Sequence, residues 1–272
     1  MRFKQKKKVG RWAASSVLVA LTALGTACGT NGDAGRSDSI RVGAASGERT
    51  GANGAAATAK GQSAANGVSA PKSGGSVRPS RVVLLGTSLT AGLGLDPEKA
   101  YPALLQQKAD SAGYAVRIVN AGLSGETSAG ALRRAGWVLD QPASLVVLEV
   151  GANDGLRGVN PDSTYANIVA LVKVVRSQRP EAGVALVQME APTNLGVSYT
   201  TRFHQAFVRA AKETGVTLLP FLLDGVAGDA RLNQADGVHP NPEGSKRVAE
   251  TVWRGLAPLL AKLAAPSGAS GG

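Results

Sequence analysis

From Arg81 onward, short runs of β-branched and aliphatic residues alternate with longer stretches of helical period, and this alternation constrains the fold more than any other feature of the chain. Such a pattern specifies a parallel sheet flanked by helices. The expected strands are Arg81 to Leu85, Val116 to Asn120, Leu145 to Val150, Val184 to Met189 and Thr217 to Leu219. The expected helices lie near Tyr101 to Ser111, Ser128 to Leu139, Pro161 to Arg179 and Thr200 to Thr214, with a last one from about Pro242 to Leu263. Together they predict an α/β chain with a mainly parallel five-stranded sheet flanked by helices.

Upstream of that pattern the composition is different. Residues 1–27 read as an export signal: a basic start, an apolar stretch from Trp12 to Leu24, and small residues Gly25, Thr26 and Ala27 before Cys28. The apolar stretch is too short for a confident membrane span. Residues 28–79 are rich in Gly, Ala and Ser and cannot bury enough surface to offset their ordering entropy, so they read as a disordered tether. A flexible chain of about 50 residues has a root-mean-square span near 40 Å. The globular unit is then 80–265, long enough for a sizeable core, followed by a flexible tail over 266–272.

The net charge of +11 raises nucleic acid as a partner, but its distribution argues against it. Arg2, Lys4, Lys6, Lys7, Lys8 and Arg11 crowd the leader with no acid among them. The globular unit is close to neutral and has no basic stripe interleaved with aromatics, so no nucleic-acid partner is expected. Cys28 is the only cysteine, which excludes an internal disulfide. Its setting resembles a bacterial lipoprotein signal, in which cleavage after Ala27 leaves the cysteine to be lipidated; an incidental cysteine in a secreted protein is the other reading. Either way the chain is expected to leave a bacterial cytoplasm, as a membrane-anchored lipoprotein facing periplasm or exterior or as a periplasmic or secreted protein.

Parallel sheets gather ligands at the carboxyl ends of their strands. Here those ends carry Gly86-Thr87-Ser88-Leu89, Asn120-Ala121-Gly122-Leu123-Ser124-Gly125 and Gly151-Ala152-Asn153-Asp154-Gly155, and Asp236-Gly237-Val238-His239-Pro240-Asn241 precedes the last helix. Ser88 follows a strand and a glycine and opens a helix, which suits an exposed nucleophile and equally suits a helix cap. A Walker loop is excluded because Leu93, not Lys, follows Gly92; a nucleophile elbow of the large hydrolase fold is excluded because Thr90 stands where Gly is required.

A serine nucleophile needs a base, and the chain has two histidines. His204 sits in a helical segment with Phe203, Phe207 and Val208 and reads as a surface or packing residue. His239 lies between turn formers, on a loop. Asp236, three residues earlier, can accept the imidazole Nδ1–H or form an Asx-turn with Gly237. No second histidine or acidic cluster stands at metal-ligand spacing, so no metal is expected. Gly122 could donate its N–H and Asn153 its amide to a developing oxyanion, or they could serve as a turn glycine and a helix cap.

These four blocks resemble those of the SGNH hydrolases, also called GDSL esterases: Gly86-Thr87-Ser88-Leu89, Gly122 within Asn120 to Gly125, Gly151-x-Asn153-Asp154 and Asp236-x-x-His239. Ser88 to Gly92, Asn153 to Gly158 and Asp236 to Asn241 are similar to the bacterial exported acyl-CoA thioesterase, lysophospholipase and arylesterase subgroup. The resemblance implies a flavodoxin-like fold, a three-layer α/β/α sandwich, a monomer without metal or organic cofactor, and a small acyl ester or thioester as substrate. It implies Ser88, Asp236 and His239 as catalytic residues, Ser88, Gly122 and Asn153 as the oxyanion hole, and a segment from Glu190 to Tyr199 bordering the acyl site. The family's aspartate before the serine is replaced by Thr87; that residue neither attacks nor moves the proton, so activity is expected to survive with altered local hydrogen bonding. Two other readings remain open: a carbohydrate O-acetyl esterase using the same machinery, and a non-catalytic lipid- or glycan-binding surface lipoprotein.

Overall fold

The computed structural model describes residues 79–264. The expected leader, Cys28, the tether up to residue 78 and the tail from 266 lie outside the described residues.

Five strands form one wholly parallel sheet: β1 (Ser80–Gly86), β2 (Val116–Gly122), β3 (Leu145–Glu149), β4 (Gly183–Val187) and β5 (Thr217–Leu219). Their order is β2-β1-β3-β4-β5. β1 and β3 read as continuous apolar runs, Val82 to Leu85 and Leu145 to Leu148, because helices cover both of their faces. The helices are α1 (Ser88–Ala91), α2 (Tyr101–Ser111), α3 (Ser128–Val138), α4 (Ala152–Leu156), α5 (Pro161–Gln178), α6 (Val197–Thr214) and α7 (Pro242–Ala264). Packing of α3 on α5 and α5 on α6 builds one outer layer, and α2 on α7 builds the other. The expected three-layer α/β/α architecture is the observed one.

Local chemistry explains the element boundaries. At α5, the Asn160 side chain accepts from the Asp162 N–H at 3.0 Å, and Pro161 fills a position whose missing N–H costs nothing. Its Ile168, Leu171, Val172 and Val175 recur at helical spacing and are fully buried. Three differences from the expected elements bear on the site. β1 and β2 each run on to a glycine, and Gly86 and Gly122 face each other in register. β4 stops at Val187 because the Gln188 N–H turns to the carbonyl of Leu219 and Gln188 in turn accepts from Leu222, outside the ladder. The segment after β3, expected as a loop, contains the single-turn helix α4, too short to produce a periodic pattern. Gly151 launches it at φ 91°, and a Cβ there would lie 2.8 Å from the Phe207 ring.

Candidate active site

The ends of β2, β1 and β3 are adjacent, so the three glycine-bearing turns meet at the carboxyl ends of the strands on the β2 side of the sheet. In the first, Thr87 is the N-cap of α1: its Oγ1 accepts from the Leu89 N–H at 3.4 Å. The cap role read as an alternative for Ser88 therefore belongs to its neighbour, and the Ser88 hydroxyl is free to face the cleft. Its O–H lies 2.9 Å from His239 Nε2. His239 Nδ1 lies 2.6 Å from Asp236 Oδ2, which as an acceptor fixes the proton on Nδ1 and leaves Nε2 to receive the serine proton.

Asp236 performs both of the tasks its spacing allowed. While Oδ2 holds the imidazole, Oδ1 accepts from the N–H groups of Val238 and His239 at 2.9 and 3.0 Å. Gly237 at φ 71° makes the turn possible. Desolvation pushes the Asp236 carboxyl up, but the N–H groups of His239 and Val238 and the His239 ring outweigh it and hold the group at about 2. The acid beside His239 is thus ionised across the whole physiological range.

Gly122 departs from expectation. Its N–H donates to the Asn120 side chain at 2.9 Å, so it is not available to an oxyanion. Its lack of a side chain has a packing reason instead: a Cβ would lie 2.2 Å from the Ala91 nitrogen and 2.8 Å from the Thr87 carbonyl oxygen. The glycine with a free donor is Gly125, at φ 77° with the Arg157 guanidinium 3.9 Å from where its Cβ would lie, whose N–H has no acceptor among the described residues. The Ser88 N–H likewise has none. Sequence reasoning missed Gly125 because the block Asn120 to Gly125 offers two glycines, and only the fold-back of Asn120 distinguishes them.

Asn153 stands in the first turn of α4, whose N-cap is Gly151, so Asn153 is not a cap. One amide hydrogen goes to the Glu126 carbonyl at 3.0 Å, joining α4 to the Gly125 turn and leaving the second hydrogen unspent. Two supports hold that turn. Arg134 pairs through two hydrogen bonds with Glu126 and reaches the carbonyls of Gly86 and Ala121 at 3.1 and 2.9 Å. Buried Asp154 accepts from the N–H of Ser128 at 2.8 Å and from the Thr164 hydroxyl at 3.2 Å, tying α4 to α3 and α5. His204 lies on α6, paired with Glu190 at 2.6 Å and apart from Ser88. The Glu190 to Tyr199 segment borders α4: Ala191 packs against Gly155, and the Tyr199 hydroxyl donates to Val159 at 2.7 Å.

A narrow apolar crevice opens beside Ser88 and His239, lined by Leu89, Leu93, Leu95, Tyr101, Leu222 and Val248. Among the described residues no three of His, Cys, Asp and Glu come together as a metal site.

A serine hydrogen-bonded to a histidine that an aspartate orients, on the carboxyl edge of a parallel α/β sheet, defines a serine ester hydrolase. The chain belongs to the GDSL-like Lipase/Acylhydrolase family, whose model matches residues 84–247. It is 39% identical over 180 residues to Esterase TesA of Pseudomonas aeruginosa, covering 66% of this chain and 89% of that one. It is 35% identical to the Thioesterase 1/protease 1/lysophospholipase L1 of Escherichia coli K12, covering 66% of this chain and 84% of that one. The crystal structure of the psychrotrophic esterase EstA from Pseudoalteromonas sp. superposes with a TM-score of 0.63 at 34% identity, covering 67% of this chain and 99% of that one.

The close approach at Gly122 yields a test. Gly122→Ala forces backbone atoms of the nucleophile turn apart and is expected to cost about 1–3 kcal/mol in urea unfolding. Esterase turnover is expected to fall with it. Wild-type stability and turnover in this variant would contradict the packing role.

Proposed function

We propose that this protein hydrolyses carboxylic esters and thioesters of short to medium acyl chains through an acyl-enzyme on Ser88. The observation that carries this is the unbroken hydrogen-bonded line from Ser88 Oγ through His239 to Asp236. His239 takes the Ser88 proton as Oγ attacks the acyl carbonyl. The tetrahedral intermediate places its negative oxygen among the N–H groups of Ser88 and Gly125 and the free amide hydrogen of Asn153. Collapse expels the alcohol or thiol, protonated by His239. Water, deprotonated by His239, then attacks the acyl carbonyl; the acid leaves and the proton returns to Ser88. Asp236 keeps the tautomer and stabilises the imidazolium formed in each half-reaction.

The substrate range follows from similarity to relatives named as an esterase, an arylesterase and a thioesterase/lysophospholipase. On purified protein, Ser88→Ala and His239→Ala are expected to abolish hydrolysis of p-nitrophenyl butyrate, and Asn153→Ala to lose on the order of 10²–10³ in kcat. Undiminished turnover in Ser88→Ala overturns the mechanism.

The leader supports export, with Cys28 as a lipid anchor, and both lie outside the described residues. Radiolabelled palmitate is expected on the full chain and not on Cys28→Ser; label that persists on the variant removes the anchor.

A further inference from the structure

Directly beneath the nucleophile turn lies a carboxyl group that the mechanism above does not use. We propose that Glu149 is a positioning residue for Ser88: its buried, ionised carboxylate fixes the β1–α1 turn by gathering the N–H of Thr87 and the hydroxyls of Thr87 and Thr90. This rests on Ser88 as the nucleophile.

Glu149 ends β3 opposite Gly86 and is 0% exposed. Its Oε2 accepts from the Thr87 N–H at 2.8 Å and from the Thr90 hydroxyl at 2.7 Å. The Thr87 hydroxyl is shared between Oε1 at 3.0 Å and Oε2 at 3.1 Å. These donors flank Ser88 on both sides in sequence, so the carboxylate holds the residues before and after the nucleophile. Packing is tight at this point: a Cβ on Gly86 would lie 2.7 Å from Glu149 Oε2 and 2.0 Å from Thr90 Oγ1. Glycine at 86 is what lets the carboxylate reach under the turn.

The donors converging on Glu149 suit its ionised form. With Glu149 ionised, Thr90 donates to it, and the 2.6 Å contact between Thr90 and Tyr101 then has Tyr101 as donor. All hydroxyl protons then run one way, Tyr101 to Thr90 to Glu149, with Thr87 converging from the other side. A carboxylate satisfies every donor. A neutral carboxyl must donate one proton itself, and its neighbours within reach are hydroxyls already pointing at it, so at least one has to reverse.

No cation pairs with Glu149 among the described residues. Arg134, from α3, is committed to Glu126 and to the carbonyls of Gly86 and Ala121. The other titratable groups on elements packed around the turn are Tyr101 from α2 and, across Ser88, His239 with Asp236. Burial therefore pushes the Glu149 carboxyl up to about 7, against the opposing pull of the hydrogen bonds from Thr87 and Thr90. The group titrates near neutrality, and its proton must leave before the carboxylate holds the turn fully.

The experiment is the pH profile of kcat/KM for p-nitrophenyl butyrate in wild type and Glu149→Gln, with thermal unfolding followed across the same range. Glutamine retains an oxygen for the Thr87 N–H and cannot ionise. The acid limb is expected to be steeper in wild type than in Glu149→Gln, by the one proton that Glu149 takes up. The variant's kcat is expected to drop about 10- to 100-fold at nearly unchanged KM, the signature of a misplaced nucleophile. The folded carboxyl, at about 7, binds its proton more tightly than the ordinary value of 4.5, so wild-type stability falls as pH rises between these values and levels off above them. That fall is expected to be absent in Glu149→Gln.

If Glu149→Gln does not fold, Thr87→Val removes one donor and keeps the backbone N–H; its acid limb is expected to move to higher pH. An acid limb of equal steepness in wild type and folded Glu149→Gln, or an unchanged kcat in that variant, overturns the positioning role while leaving the Ser88 mechanism intact. If wild type hydrolyses no ester, the functional reading fails, and the stability profile still reports on the buried carboxylate.

Discussion

Everything at this site depends on β1 lying between β2 and β3 in one parallel sheet. From β1 the chain winds in one direction to reach β2 and in the opposite direction to build β3, β4 and β5. At the carboxyl end of such a reversal the connecting segments diverge and leave a crevice. Ser88 leaves β1 at that point, the Gly125 turn leaves β2 on one side, and Asn153 follows β3 on the other. The register that sets Gly86 against both Gly122 and Glu149 brings the three turns within hydrogen-bonding reach without any side chain between them.

Two acids near Ser88 are driven in opposite directions by their surroundings, and this division suits their positions. Asp236 sits on a partly exposed loop, gathers backbone N–H groups and stays ionised, as a partner to an imidazolium must. Glu149 is sealed between sheet and turn with hydroxyls for neighbours and no cation among the described residues. Its ionised form organises the turn but opposes folding at higher pH, so local order at the nucleophile is obtained against global stability. Thr87 fits this arrangement: a hydroxyl there donates to Glu149, whereas a second carboxylate would have had to share a proton with it.

The sheet and long helices were legible because their signals are repetitive: Val82 to Leu85 and Leu145 to Leu148 as buried parallel strands, Ile168 to Val175 as one apolar helix face. The catalytic candidates were legible by elimination, since one loop histidine stands three residues after an aspartate. What stayed hidden depended on contacts distant in sequence or on a local fold-back. Helix α4 spans a single turn and has no periodicity to read. Gly122 and Gly125 are equivalent until the Asn120 side chain takes the N–H of one of them. Glu149 reads as one acid ending an apolar strand; its partners, Thr87 and Thr90, lie about 60 residues earlier and are revealed by the β1–β3 pairing.

The most direct test of the account is where a covalent label lands. A fluorophosphonate transfers its phosphoryl group to an activated serine oxygen with loss of fluoride, so peptide mass spectrometry reads the nucleophile itself. The account predicts one stoichiometric adduct, on Ser88, absent from the Ser88→Ala protein and strongly slowed in the Glu149→Gln protein. An adduct on another residue, or none on a folded wild-type chain, would contradict it.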